Sequence, residues 1–291
     1  MLGYGPRRVL RVFVVLVALV ESDALKQKKM DCELNSELYN YTLNKVRTAK
    51  ISLKPFPHVY IKDIFKPSFY PCLLNKLPDG TVNHADSPYS KDKSQRYLVK
   101  LMGRAGQPLL NANDRPFSEA AAQAIDSTWW SNFGQLLATR ELARAWVKLF
   151  DATTGTRYNE TATPNIRFMY RLELSRDMSG YGIGPHTDTD KKWVTTLFYL
   201  PSTAKHAGVG TSILRSNSNR VQKQGTRHFK FGPDFVTAFK APFVPNTVIA
   251  FAPCWHSWHA VETMTESVMR DTLQGFVVSS ITGKKQPCGS E

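Results

Sequence analysis

Cysteine is scarce: the chain has four in 291 residues, none at CxxC spacing. That excludes a small disulfide-framework protein and gives no support to zinc-ribbon or thioredoxin-type chemistry. Acidic residues are also short, 24 Asp plus Glu against 38 Lys plus Arg, for a formal charge of +14. The basic residues are spread out rather than run together, and no zinc-finger or RRM pattern accompanies them, so no specific nucleic-acid recognition is expected. No heptad is sustained, and the apolar stretch at 12–20 falls well short of the roughly 20 residues of a spanning helix, so no polytopic membrane insertion is expected. What the chain does have is 42% hydrophobic content, with 17 Gly and 17 Pro scattered along it. That is enough to bury a core in one or two domains.

Arg7, Arg8 and Arg11 precede the apolar stretch, and Glu21-Ser22-Asp23-Ala24 follows it. This is the order of a secretory signal, so residues 1–24 read as a signal peptide or a short signal anchor. Sequons at Asn40-Tyr41-Thr42 and Asn159-Glu160-Thr161 agree with a glycoprotein that passes through the endoplasmic reticulum. The expected location is the endoplasmic reticulum or Golgi lumen, or outside the cell. There, Cys32, Cys72, Cys254 and Cys288 allow one or two disulfides of undetermined pairing, with free buried thiols as the alternative.

Residues 25–54 read as an N-terminal polar extension, and the main domain as 55–285. Within it, a proline turn leads into a strand at 55–61, and a helix opened by proline follows at 67–77. Residues 79–96 read as a polar loop. Between 118 and 150, Trp129, Trp130, Phe133, Leu136, Leu137, Leu142, Trp146, Leu149 and Phe150 recur at helical spacing, which predicts one or two supporting helices. The pattern then changes to short runs rich in Val, Thr, Phe and Tyr at 167–174, 193–200, 211–214, 244–251 and 273–279. These predict an antiparallel sandwich or barrel. A basic insertion at 215–234 without apolar periodicity is either a lid or an ordinary loop.

The chemistry begins at His186-Thr187-Asp188, after the turn Gly180-Tyr181-Gly182-Ile183-Gly184-Pro185. On extended backbone, residues two apart point the same way, so an imidazole and a carboxylate converge. Downstream, the 255–261 segment contains His256 and His259, and His259 is the better candidate for a second imidazole. Two histidines and one carboxylate form a facial triad that leaves three octahedral positions open. This set favours iron without excluding zinc. Arg270 lies 11 residues after His259, with Thr272 two further on. On a strand these share one face and can hold a distal carboxylate.

The ordered set of HxD, His and RxT resembles the iron(II)- and 2-oxoglutarate-dependent oxygenase superfamily, over roughly residues 55–279. The segment 55–77 looks like the opening strand and helix of prolyl-hydroxylase-like members. Thr196-Leu197-Phe198-Tyr199-Leu200-Pro201 looks like their strand after HxD. The resemblance implies an α+β fold: a double-stranded β-helix (jelly roll), mainly 165–280, with N-terminal supporting helices mainly within 55–150. It implies Fe(II) on His186, Asp188 and His259, and 2-oxoglutarate with its C5 carboxylate on Arg270, supported by Thr272. Tyr199 either donates to the cosubstrate or packs. O2 is the co-reactant, and ascorbate is admitted as an addition. The usual Gly-Gly-acid-Thr turn is replaced by Gly208-Val209-Gly210-Thr211, which leaves the substrate open: a peptide, a glycan or a small molecule, with an anionic group favoured by the net charge. The alternative is a noncatalytic secretory β-helix protein that binds a polyanion through its basic surface.

Overall fold

The computed structural model describes residues 32–77, 96–101, 126–154, 166–279, 285, 287 and 288. The expected leader and the Asn159 sequon lie outside them. Among the described residues, ten strands form two antiparallel sheets. They are β1 (His58–Lys62), β2 (Arg96–Lys100), β3 (Phe168–Asp177), β4 (Ile183–His186), β5 (Lys192–Tyr199), β6 (Ser212–Ser216), β7 (Phe235–Lys240), β8 (Thr247–Phe251), β9 (His259–Val261) and β10 (Arg270–Ser279). The larger sheet has the order β1-β8-β5-β10-β3-β2, and the smaller one β4-β9-β6-β7. From β3 to β10 successive strands alternate between the sheets, apart from the β6–β7 hairpin, and this winding is a double-stranded β-helix. The expected jelly roll is therefore the observed fold.

Strand periodicity divides the large sheet into two unlike faces. Outward go Phe168, Tyr170, Leu172 and Leu174 of β3, Val194 and Phe198 of β5, Val248 and Ala250 of β8, and Leu273 and Val277 of β10, all in one apolar cluster. Helices cover that face. The helix α1 (Ser36–Arg47) is opened by Asn35, whose side chain accepts from Leu38 N at 3.1 Å, and has Lys45 and Arg47 in its last turn. Both features suit a helix end. The short α2 (Tyr70–Leu74) has Pro71 in its first turn. Asp126 caps α3 (Ser127–Leu137) through Trp129 N. The fourth helix, α4 (Arg140–Thr154), buries Leu142, Ala143, Trp146, Val147 and Phe150, the i, i+4, i+8 stripe of a helix lying on a sheet.

Two stretches differ from the sequence reading. Within the supposed polar extension, α1 places Leu38, Leu43 and Val46 in the main core and ties to α4 through Arg47–Glu141 at 2.8 Å. The helix was hidden because only Leu38, Leu43 and Val46 among its twelve residues are buried aliphatics, too few for a clear helical period. Of the expected polar loop at 79–96 only Arg96 lies within the described residues, and it opens the strand β2, which pairs with β3. No helix among the described residues is long and apolar enough to cross a membrane.

Candidate metal centre

The inner face of the same strands has a different character. It bears Thr195, Leu197 and Tyr199 on β5, opposite Phe276, Gln274 and Thr272 on β10. On β3, Asp177, Ser175, Glu173 and Arg171 stand opposite Arg270, Thr272, Gln274 and Phe276. Polar residues from three strands thus line one side of the interior. Arg171 and Glu173 form an ion pair on their own strand at 3.3 Å.

Two histidines meet across the smaller sheet. His186 at the end of β4 pairs in register with His259 at the start of β9, and β6 places Ile213 on the other side of His259. Their rings are 4.2 Å apart between centroids. Each ring uses Nδ1–H to donate to a carbonyl two residues back, Gly184 O at 2.9 Å for His186 and Ser257 O at 3.0 Å for His259. That bond fixes the tautomer and leaves each Nε2 as a lone-pair donor, the outer-sphere arrangement of metal-binding histidines. Asp188 lies just past the end of β4. Its Oδ2 accepts from Thr195 Oγ1 at 2.5 Å and faces His259 Nε2 at 4.0 Å, and its Oδ1 accepts from Lys192 Nζ at 2.6 Å. One ligand atom from each of His186, Asp188 and His259 lies within 4.8 Å of the others, and all three residues are buried.

Burial pushes both imidazoles below the ordinary histidine value, and at His186 the neighbouring His259 adds to the effect. Burial acts in the opposite sense at Asp188, but the Lys192 ammonium and the two imidazoles hold its carboxyl well below the usual carboxylate range. The set is therefore two neutral imidazoles and one carboxylate. That donor set fits a divalent metal, and three ligands on one side leave three of six octahedral positions open.

Thr195 and Tyr199 share the inner face of β5, so a strand rise of about 3.3 Å per residue puts them about 13 Å apart. At the Tyr199 end lies Arg270, 1% exposed. It donates from Nε to Val209 O at 2.8 Å, from Nη1 to Asp177 Oδ2 at 2.7 Å and from Nη2 to Thr211 Oγ1 at 3.2 Å. A guanidinium has five N–H donors, so three are engaged. Asp177 also takes a two-pronged bond from Arg96, and two guanidiniums thus share one carboxylate. The surplus positive charge and the remaining donors suit an incoming carboxylate. Two hydroxyls border the place. Tyr199 Oη accepts from Thr211 N at 2.8 Å, which leaves its own hydrogen to donate. Tyr181, packed in the same inner cluster with the Arg96 guanidinium 4.2 Å over its ring, has a buried hydroxyl with no hydrogen-bond partner among the described residues. Thr272 is fully buried opposite Tyr199 and accepts from Gln274 Nε2 at 3.4 Å.

His256, the weaker sequence candidate, is outside the triad; its backbone N–H points at Cys288 Sγ, 3.1 Å away. Sequence reasoning passed over several residues that border the site. Thr195 was legible in principle as the inward residue of a β-branched run. His228 was not: it comes from the aperiodic 217–234 loop and stacks face to face on His186, with centroids 4.4 Å apart and planes 3° from parallel. Phe229 N donates to Pro185 O at 2.8 Å, and a Cβ on Gly184 would meet Phe229 O at 2.0 Å. Only glycine lets the loop backbone lie against β4 there. The basic insertion thus borders the triad.

No protein-family model matches this chain, and no curated protein matches it. Solved structures do resemble it. One is an oxidoreductase of the 2OG-Fe(II) oxygenase family from Burkholderia pseudomallei, 15% identical, covering 88% of this chain and 96% of that one, with a TM-score of 0.41. Another is a prolyl 4-hydroxylase from Phytophthora capsici, 17% identical, covering 87% and 68%, with a TM-score of 0.43. A third is a prolyl hydroxylase from Trichoplax adhaerens in complex with a hypoxia-inducible-factor peptide fragment, 14% identical, covering 83% and 89%, with a TM-score of 0.39. The fold is a double-stranded β-helix, a description that rests on strand order and register, not on similarities of this size.

Proposed function

We propose that the protein is an Fe(II)- and 2-oxoglutarate-dependent dioxygenase that hydroxylates a C–H bond of a substrate in the secretory pathway. The observation that carries the reading is the pairing of a His-Asp-His triad at one end of the barrel interior with a charge-surplus arginine at the other. His186, Asp188 and His259 would hold the iron. Bound there, Fe(II) would supply the redox chemistry by which O2 and 2-oxoglutarate become an alcohol oxygen, succinate and CO2.

The chain's own residues do the positioning. Thr195 donates to Asp188 and keeps one of its oxygens turned toward His259. Arg270 is the anchor for the C5 carboxylate, with the Tyr199, Tyr181 and Thr272 hydroxyls around it. The apolar inner residues Ile213, Ile249 and Phe251 keep bulk water from the space between. Asp188 occupies the place that a halide would need, so hydroxylation is favoured over halogenation. The disulfides Cys32–Cys72 and Cys254–Cys288 support an oxidising compartment. Arg220, Lys223, Arg227 and Lys230 belong to the loop whose His228 stacks on His186, and they support an anionic substrate, since such a loop raises the local concentration of anions.

The test is turnover by the purified full-length protein. With Fe(II), O2, ascorbate and 2-oxoglutarate it should form succinate and CO2, and chelation of the metal should stop both. Retention of polyanions on the basic loop with no metal binding and no succinate would replace this reading with that of a noncatalytic binding protein.

A further inference from the structure

Lys285 has no part in the function proposed above, yet it is 2% exposed. Burying an ammonium is costly unless its donors are matched. An ammonium has three N–H donors, and Lys285 Nζ meets three oxygens: Thr187 Oγ1 at 2.8 Å, the main-chain oxygen of Asp188 at 3.1 Å and that of Gly225 at 2.9 Å. The first two belong to the turn that carries the carboxylate of the triad. The third belongs to the 217–234 loop. Thr187 extends the connection by donating to Gln222 Oε1 of the same loop at 3.2 Å.

The chain around Lys285 is fastened in turn. Trp255 Nε1 donates to the Lys285 carbonyl at 2.8 Å, and Cys288 is bonded to Cys254. Both anchors lie a few residues before His259 in the chain. The cation is therefore held from the second histidine's segment while it holds the carboxylate's turn and the loop beside the first histidine. Hydrogen bonds from a charged donor are about twice as strong as neutral ones, so three of them on one nitrogen fix these pieces more firmly than loop packing alone.

We propose that Lys285 is a positioning residue: it sets the Asp188 backbone within the triad and ties the 217–234 loop to it, and the Cys254–Cys288 disulfide keeps it in place. This rests on the metal reading for its effect on Asp188, but not for the loop tie. Two measurements on the full-length protein separate them. Limited trypsin digestion of metal-free protein reads the tie, because Lys223 and Arg227 flank Gly225. Anaerobic titration with Co(II), followed by its visible absorption, reads the ligand geometry.

In Lys285→Met, cleavage at Lys223 and Arg227 should accelerate about 10-fold while cleavage elsewhere keeps its wild-type rate. Co(II) affinity should fall about 10-fold with an altered absorption band. The double variant Cys254→Ala, Cys288→Ala, which leaves Lys285 in place but frees its anchor, should shift both readouts in the same direction. The double variant Cys32→Ala, Cys72→Ala should shift neither. Wild-type cleavage rates and an unchanged Co(II) band in Lys285→Met would overturn the proposal. If Lys285→Met fails to fold, the Cys254→Ala, Cys288→Ala variant decides, and wild-type behaviour in it overturns the proposal equally. Should the wild type itself bind no Co(II), the metal reading falls, and the cleavage rates alone decide whether Lys285 ties the loop to the turn.

Discussion

The two faces of the large sheet are made by the same strands and solve different problems. On β5, Val194 and Phe198 point outward into the helix-covered core, while Thr195 and Tyr199 point inward to Asp188 and Thr211. The outer face is held mainly by apolar area and ring packing, with Phe198 stacked on Phe65 at 5.4 Å and edge-on to Trp146 at 6.5 Å, and the buried Arg176–Asp271 pair is its polar exception at one end. The inner face is held by directed polar contacts, with Asp177, Arg96, Arg270, Thr211 and Tyr199 in one connected set. Such a segregation lets the non-directional term carry stability and reserves the directional one for geometry. Its corollary is that a change on one face should leave the other's property largely intact.

The strongest break in that pattern should come at the triad. His186→Ala should abolish Fe(II) or Co(II) binding while moving the urea midpoint little, whereas His256→Ala should keep most of the binding. Equal losses in the two variants would mean that the histidines act through the fold. Next in size, Phe198→Ala should cost about 3–5 kcal/mol in urea unfolding. Metal affinity of the remaining folded protein should be unchanged, and a parallel fall in affinity would show that the two faces are coupled.

Arg270→Lys keeps the charge but gives up the planar fork. The loss of a charge-assisted bond, about 1.5–3 kcal/mol, should raise the KM for 2-oxoglutarate about 10-fold or more with metal affinity retained. An unchanged KM would assign Arg270 to structure alone, as the partner of Asp177. The smallest effect is expected at Glu262, beside β9. Burial would raise its pKa, but the Lys240 ammonium at 2.8 Å and the Ser212 hydroxyl at 2.6 Å hold it below its ordinary value of 4.5. A depressed folded value means that this pair stabilises the fold above about pH 4.5 and that the contribution is lost as pH falls through the lower folded value. Thermal scans of Lys240→Ala should therefore show a smaller drop in Tm than wild type between neutral and acid pH. An identical acid-side slope would contradict the assignment.

How much of this could be read from the chain alone follows the same division. The outward residues of β3, β5, β8 and β10 announce themselves because β-branched and aromatic side chains recur with the strand period; that pattern predicts a sandwich or barrel, and the jelly roll is implied only by the resemblance carried by the HxD, His and RxT set. The convergence of His186, Asp188 and His259 was legible because its chemistry is concentrated in HxD plus one histidine, and Arg270 was singled out by its interval after His259. Short β4 and β9 carry Gly, Pro and His rather than a strand pattern, and β7 is largely exposed, so periodicity could not place them. His228 and Lys285 reach the centre from segments without periodicity, and their roles depend on contacts 42 and 98 residues away in the chain. No local pattern encodes such contacts. The disulfide partners were undetermined for the same reason.

Anaerobic equilibrium dialysis of the full-length protein against Fe(II) and labelled 2-oxoglutarate tests the central claim most directly. The account predicts one Fe(II) and one 2-oxoglutarate per chain, with Asp188→Ala losing the iron and Arg270→Lys keeping the iron while weakening only the 2-oxoglutarate. Failure of the wild-type protein to retain iron, or retention of 2-oxoglutarate that is indifferent to Arg270, would contradict it.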